Sequence, residues 1–279
     1  MPTGLRSLLP RAALLARHDL GIAAAVGLWI PGVLLADRGA TLAGQWLLGL
    51  GTWVLLVVLL RRETPLVRAQ TAVVVVFATA VEYTFSPLLH VYVYRLGNVP
   101  AFVPPGHGLV YLAALALGRS ALLRRNARPA VAVTVLVGGL YALWGLSPLA
   151  PRPDVLGAFW FLCLLGFLRF GASRLLYVGA FVVVTYLELL GTHLGAWAWQ
   201  AHDPTGIVSM GNPPSGAAGG YGWFDLVAVT VAPLVLAALP GARRRAVLVP
   251  DELASAAEYP QGGVMQAPVG GDGAAAVQD

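Results

Sequence analysis

Two glutamates stand where glutamate is costly. Glu82 lies late in the apolar run from Gln70 to His90, and Glu188 lies late in the run from Leu175 to Trp199. A carboxylate inside a membrane segment costs a few kcal/mol even on lenient insertion scales, so each is a candidate functional group. The plain alternative is a hydrogen-bonded contact between helices. Two carboxylates that face one apolar cavity resist ionising together, so one is expected to stay protonated near neutral pH. A protonated acid beside an ionised base is the pair that proton transfer to a double bond and activation of water both need. Asp225 is the third acid within an apolar run.

The neighbours of the two glutamates repeat in kind. Each has a hydroxyl four residues on, Ser86 and Thr192, one helical turn away on the same face. Such a hydroxyl can orient the carboxyl or a water, or simply bond its own helix backbone. Each is followed by an aromatic pair, Tyr92-x-Tyr94 and Trp197-x-Trp199. Tyr and Trp anchor at membrane interfaces, but electron-rich ring faces also stabilise a cation or hold an isoprenoid chain. The members of each pair share a face only if the backbone is extended there. His107, in PPGHG, is the expected proton partner of Glu82, and His193 that of Glu188. His90 and His202 complete the group, without a spacing that places two imidazoles on one helix face as metal ligands, so no metal or cofactor is implied. Glycine- and proline-rich loops follow, Gly97 to Gly108 and Gly206 to Gly222. They are expected to cap the cavity as partly re-entrant pieces, with Asn98 and Asn212 as polar contacts and Trp223 in the wall.

The elements that must position these groups are membrane helices. The chain has 279 residues, 58% hydrophobic and only 11% charged, outside the range of soluble domains. Its single cysteine, Cys163, excludes an intramolecular disulfide. Apolar runs predict eight spans, at 20–36, 40–60, 70–90, 106–118, 129–146, 155–168, 175–199 and 221–239. The 18 basic residues are all arginine. With both termini in the cytoplasm, only Arg38, Arg95 and Arg152 fall in outside loops, a strong positive-inside bias. No polar basic stripe points to nucleic acid.

This topology predicts an all-α, polytopic bundle in a plasma membrane, built as two parallel four-helix halves. Residues 1–19 form an amphipathic lead-in, 20–128 the first half, 129–245 the second, and 246–279 a disordered tail. Parallel halves are related by an axis along the membrane normal, and sites form where they meet.

The doubled pattern resembles the membrane proteins of carotenoid biosynthesis typified by bisanhydrobacterioruberin hydratases. The resemblance is carried by Glu82 with Tyr92-x-Tyr94 and Val99-Pro100-Ala101-Phe102-Val103-Pro104, then by Glu188 with Gly195-Ala196-Trp197-Ala198-Trp199 and Gly222-Trp223-Phe224. Leu89-His90-Val91 departs from the family's Phe-Gly step, and His107 replaces an expected Trp. The resemblance implies cofactor-free addition of water to a double bond of a polyisoprenoid or other lipid. Glu82 or Glu188 would donate the proton, its partner would activate water, and the four rings would stabilise the cation; isomerisation needs the same parts without the water. Paired acids and parallel repeats also fit a proton-coupled carrier of small solutes, and helix-bonded glutamates fit a structural membrane protein.

Overall fold

The computed structural model describes residues 5–238, with side chains from residue 17 onward. The expected tail and Arg243, Arg244 and Arg245 lie outside the described residues. Among these, helices dominate: α1 (Leu5–Asp37), α2 (Leu42–Leu60), α3 (Pro65–Tyr83), α4 (Val103–Arg119), the short α5 (Ala121–Arg125), α6 (Ala127–Leu146), α7 (Val155–Phe170), α8 (Arg174–His193) and α9 (Ala217–Ala238). Two three-residue strands, β1 (Tyr92–Tyr94) and β2 (Trp197–Trp199), interrupt them. Six helices are long and apolar enough to cross a membrane, so this is an integral membrane protein. α4 and α7 are shorter, at 17 and 16 residues.

The ends of these helices follow from local chemistry. Thr41 and Thr64 accept from the backbone N–H three residues on, capping α2 and α3, and Pro65 occupies the first turn of α3, where no N–H is needed. Asp154 caps α7 through Gly157 N at 2.9 Å and also accepts from Gly211 N and Ser215 N, fastening the 200–216 segment to the start of α7.

Three expected boundaries shift, each for a visible reason. The lead-in is no separate element, since α1 runs unbroken from Leu5. The third run does not stay α-helical to His90: around Pro87 it widens into a π-helical turn (Thr84–Leu88), and His90 takes a positive φ of 53°. The seventh run leaves the helix at His193, because Gly195 turns with φ 72° and the Trp pair then joins a strand ladder.

α4 and α8 form the centre. Both are buried on most faces and they cross closely, with Gly179 against the Ala114 carbonyl, where a Cβ would collide. α3 packs on α9, and α4 on α8, so each pair joins an early helix to a late one. Polar clusters mark opposite ends of the bundle. At one end Arg119 at the close of α4 bonds Glu63, in the α2–α3 turn, and Asp19, while His18 also meets Glu63. At the other end Arg95 reaches Asp37 and the Ala40 carbonyl, and Gln45 bridges Asp37 to Asn98.

Candidate functional site

β1 and β2 pair antiparallel, with Tyr92 opposite Trp199, Val93 opposite Ala198 and Tyr94 opposite Trp197. In this extended ribbon residues alternate between faces, so all four rings turn the same way, inward, and are buried. The rings touch across the strands: Tyr92 lies 4.6 Å from Trp199 and Tyr94 lies 6.0 Å from Trp197, centroid to centroid. The sequence required an extended backbone for the pairs to act together, and the ribbon supplies it.

Each pair of rings serves its own glutamate. The Tyr92 and Tyr94 hydroxyls both donate to Glu82 Oε2 at 2.8 Å, and His107 Nε2 stands 2.8 Å from Oε1. The Trp197 and Trp199 indole N–H groups both donate to Glu188 Oε2, at 3.0 and 3.1 Å, and the Tyr221 hydroxyl lies near the same carboxyl. Glu82 and Glu188 are 4% and 3% exposed, so neither has bulk water to solvate it. Hydrogen bonds to a charged group contribute about 1.5–3 kcal/mol each, enough for two or three of them to offset much of the cost of burial.

Both carboxyls line one cavity of about 540 Å³. Its wall is mostly aromatic and aliphatic, drawn from α1 (Trp29, Val33), α3, the π-helical turn (Phe85), α4, α7 (Trp160), α8 and α9 (Tyr221, Trp223, Phe224), with the ribbon across it. Asp203, Pro204 and Met210 add part of the loop before α9. His107 stacks on Tyr221 at 5.2 Å and meets Phe224 edge to face at 5.2 Å. An apolar chamber of this size with a few convergent polar groups has the character of a ligand site.

Several expected residues lie elsewhere. His193 is on an exposed face of α8 and does not partner Glu188, whose donors are the two indoles. Thr192 donates to the Glu188 backbone carbonyl at 2.7 Å, so its hydroxyl serves the helix rather than the carboxyl. Ser86 is buried in the π-helical turn but is not in the cavity wall, because the change of helical pitch rotates it away from Glu82. Asn98 is held by Gln45 on α2, and Asn212 accepts from Trp199 N at 2.9 Å, so one ties down a loop and the other braces β2. Asp225 is 5% exposed and sits outside the wall, one turn along α9 from Tyr221. Trp223 is in the wall and half-exposed.

Tyr221, Trp160 and Asp154 were not singled out by sequence. Tyr221 had a usable signal, as the aromatic that opens the last run four residues before Asp225; Trp160 and Asp154 had none, since their roles depend on which helices meet. Among the described residues no group of three or more His, Cys, Asp or Glu is placed to hold a metal ion. Compared with known protein families, curated protein sequences and solved structures, the chain matches none.

Proposed function

We infer that this protein is a membrane-embedded enzyme that adds water to a carbon–carbon double bond of a polyisoprenoid or similar lipid by proton transfer, without a cofactor. The single observation that carries the reading is that two buried glutamates, each held by aromatic donors, line one apolar cavity. The resemblance to carotenoid hydratases points to the same chemistry. Proton-coupled isomerisation of the double bond is the variant in which water does not attack.

In this reading Glu188 is the acid. A proton on Oε1, the oxygen that the indoles leave free, passes to one alkene carbon, the π pair forms the new C–H bond, and a tertiary cation remains. Faces of Tyr92, Tyr94, Trp197 and Trp199 lie against that charge. Glu82, with His107 behind it, accepts a proton from water as the water oxygen bonds to the cation. The net result is addition of H and OH, and return of the proton from Glu82 to Glu188 closes the cycle.

The wider architecture in this reading is eight spans in two parallel halves, both termini in the cytoplasm of a plasma-membrane protein. The exchange of contacts between α3–α9 and α4–α8, and an antiparallel ribbon centred on Val93 and Ala198, are what an axis along the membrane normal would produce. The arginine bias supports the orientation.

The test is mass spectrometry of lipid extracts from cells with the gene, without it, and with Glu188→Gln. The expected outcome is a lipid pair differing by the mass of water, the hydrated partner missing in the second and third strains. Lipids identical in all three overturn the reading.

A further inference from the structure

One helical turn inward of the glutamate cavity lies a polar pair that the proposed reaction does not use. Tyr111 follows His107 by four residues on α4, and Asp225 follows Tyr221 by four on α9, so each lies under its predecessor on the same helix face. His107 and Tyr221 stack on each other, which brings these two faces together. Tyr111 is 1% exposed and Asp225 5%, in a sleeve of apolar side chains that includes Val74, Ala78, Ala180 and Phe224.

Three polar atoms here have no protein partner: the Tyr111 hydroxyl, Asp225 Oδ2 and His107 Nδ1. Each sealed in hydrocarbon without a partner would bear the full penalty of its desolvation. Helices offered ample alternatives, since Phe at 111 or Leu at 225 would pack in the same sleeve. The neighbouring buried hydroxyl on α3, Thr71, shows the usual remedy by donating to its own helix, at the Val67 carbonyl. Tyr and Asp side chains cannot reach their own helix carbonyls in that way. Buried polar groups left without a protein partner, as these are, are where proteins hold internal water.

We propose that Tyr111, Asp225 and the Nδ1 of His107 form an internal water site, which holds the water consumed in the adjoining cavity. The proposal rests on the hydratase reading for the use of that water, but not for its presence. The cavity wall is mostly apolar and offers water little hold, whereas Tyr111 and Asp225 lie one turn beyond His107, whose Nε2 meets Glu82 and whose Nδ1 is unpartnered. Tyr111 and Asp225 are thus positioning residues for the co-substrate.

The test is hydroxyl-radical footprinting of the full-length protein in lipid nanodiscs, with radicals generated from water by brief X-ray pulses and no lipid substrate added. Such radicals oxidise buried side chains only where water is in contact with them. The expected result is oxidation of Tyr111 well above that of Phe181, which is 8% exposed and lies outside the cavity wall. Asp225→Leu should lower Tyr111 oxidation several-fold, whereas Asp225→Asn, which keeps two polar atoms, should retain it; the unchanged labelling of the remaining side chains reports that each variant is folded. Tyr111 labelled no more than Phe181 in the unaltered protein overturns the proposal by itself. Tyr111 labelling that survives Asp225→Leu overturns the role of Asp225. Failure of this inference and failure of the hydratase reading stay distinct, because a silent Tyr111 can accompany normal lipid conversion and a labelled Tyr111 can accompany unchanged lipids.

Discussion

Glu82 and Glu188 occupy corresponding points, each near the end of a long helix and each followed by a ring pair on the shared ribbon, yet their surroundings differ in kind. Glu82 is met by two phenol hydroxyls and an imidazole, three groups that can each give up or pass on a proton. Glu188 is met by two indoles, which only donate, with the Tyr221 hydroxyl nearby in the cavity wall. The indoles therefore fix the Glu188 carboxyl in place and carry no proton away from it. Phenols and imidazole connect the Glu82 carboxyl to further groups. One scaffold thus holds one carboxyl by indoles and the other by phenols and an imidazole, and the choice of Trp or Tyr at four positions makes the distinction.

The sharpest way to break this comparison is Glu188→Gln, which should lower lipid conversion by about 10²–10⁴-fold, as loss of a general acid does. Glu82→Gln should fall in the same range, and product analysis of the two strains checks both. Trp197→Phe with Trp199→Phe comes next. It strips Glu188 of both indole donors, at about 1.5–3 kcal/mol each, whereas Tyr92→Phe leaves Glu82 two of its three. Thermal unfolding in detergent should accordingly drop much further for the Trp pair than for the single Tyr.

Gly191→Ala sharpens the same point from behind, because the Trp197 ring lies where the new methyl would go. Overpacking of this kind costs about 1–3 kcal/mol and should swing the indole off Glu188, read as a shift in tryptophan emission together with a lower melting temperature. A smaller effect is expected far from the cavity, at Glu63. Burial pushes this carboxyl up, but the two bonds from Arg119 and the contact with His18 more than offset it and hold it below the ordinary glutamate range. A depressed value means stability that is present above the ordinary range and lost as pH falls through the folded value. The melting temperature should fall on acidification through that window, and Glu63→Gln should flatten the fall. Least of all, His193→Ala should leave conversion unchanged, since that ring faces outward.

Much of this was legible in the residues. Hydropathy marked the helices because lipid demands apolar length, and the same demand made Glu82 and Glu188 conspicuous. The period-two aromatic pairs carried a conditional statement, that they act together only if extended, and β1 and β2 meet the condition. What could not be read depends on contacts between distant parts of the chain. Trp160 enters the wall only because α7 packs on α9, and Asp154 binds Gly211 and Ser215 across a separation of 57 and 61 residues. His193 misled because a histidine five residues after Glu188 looked like a partner, while 3.6-residue periodicity turns position five away from the carboxyl. Ser86 misled for the related reason that Pro87 alters the helical pitch just where i+4 would have aligned it.

The ring-capped glutamates also bear on how the chain is made. Every side chain that bonds Glu82 comes 10 to 25 residues after it, and those that bond Glu188 come 9 to 11 after. Closing such short loops is cheap, so each acid is relieved of its isolation by the stretch of chain that directly follows it. Biogenesis then reduces to zipping two finished corners together along three residues of ribbon.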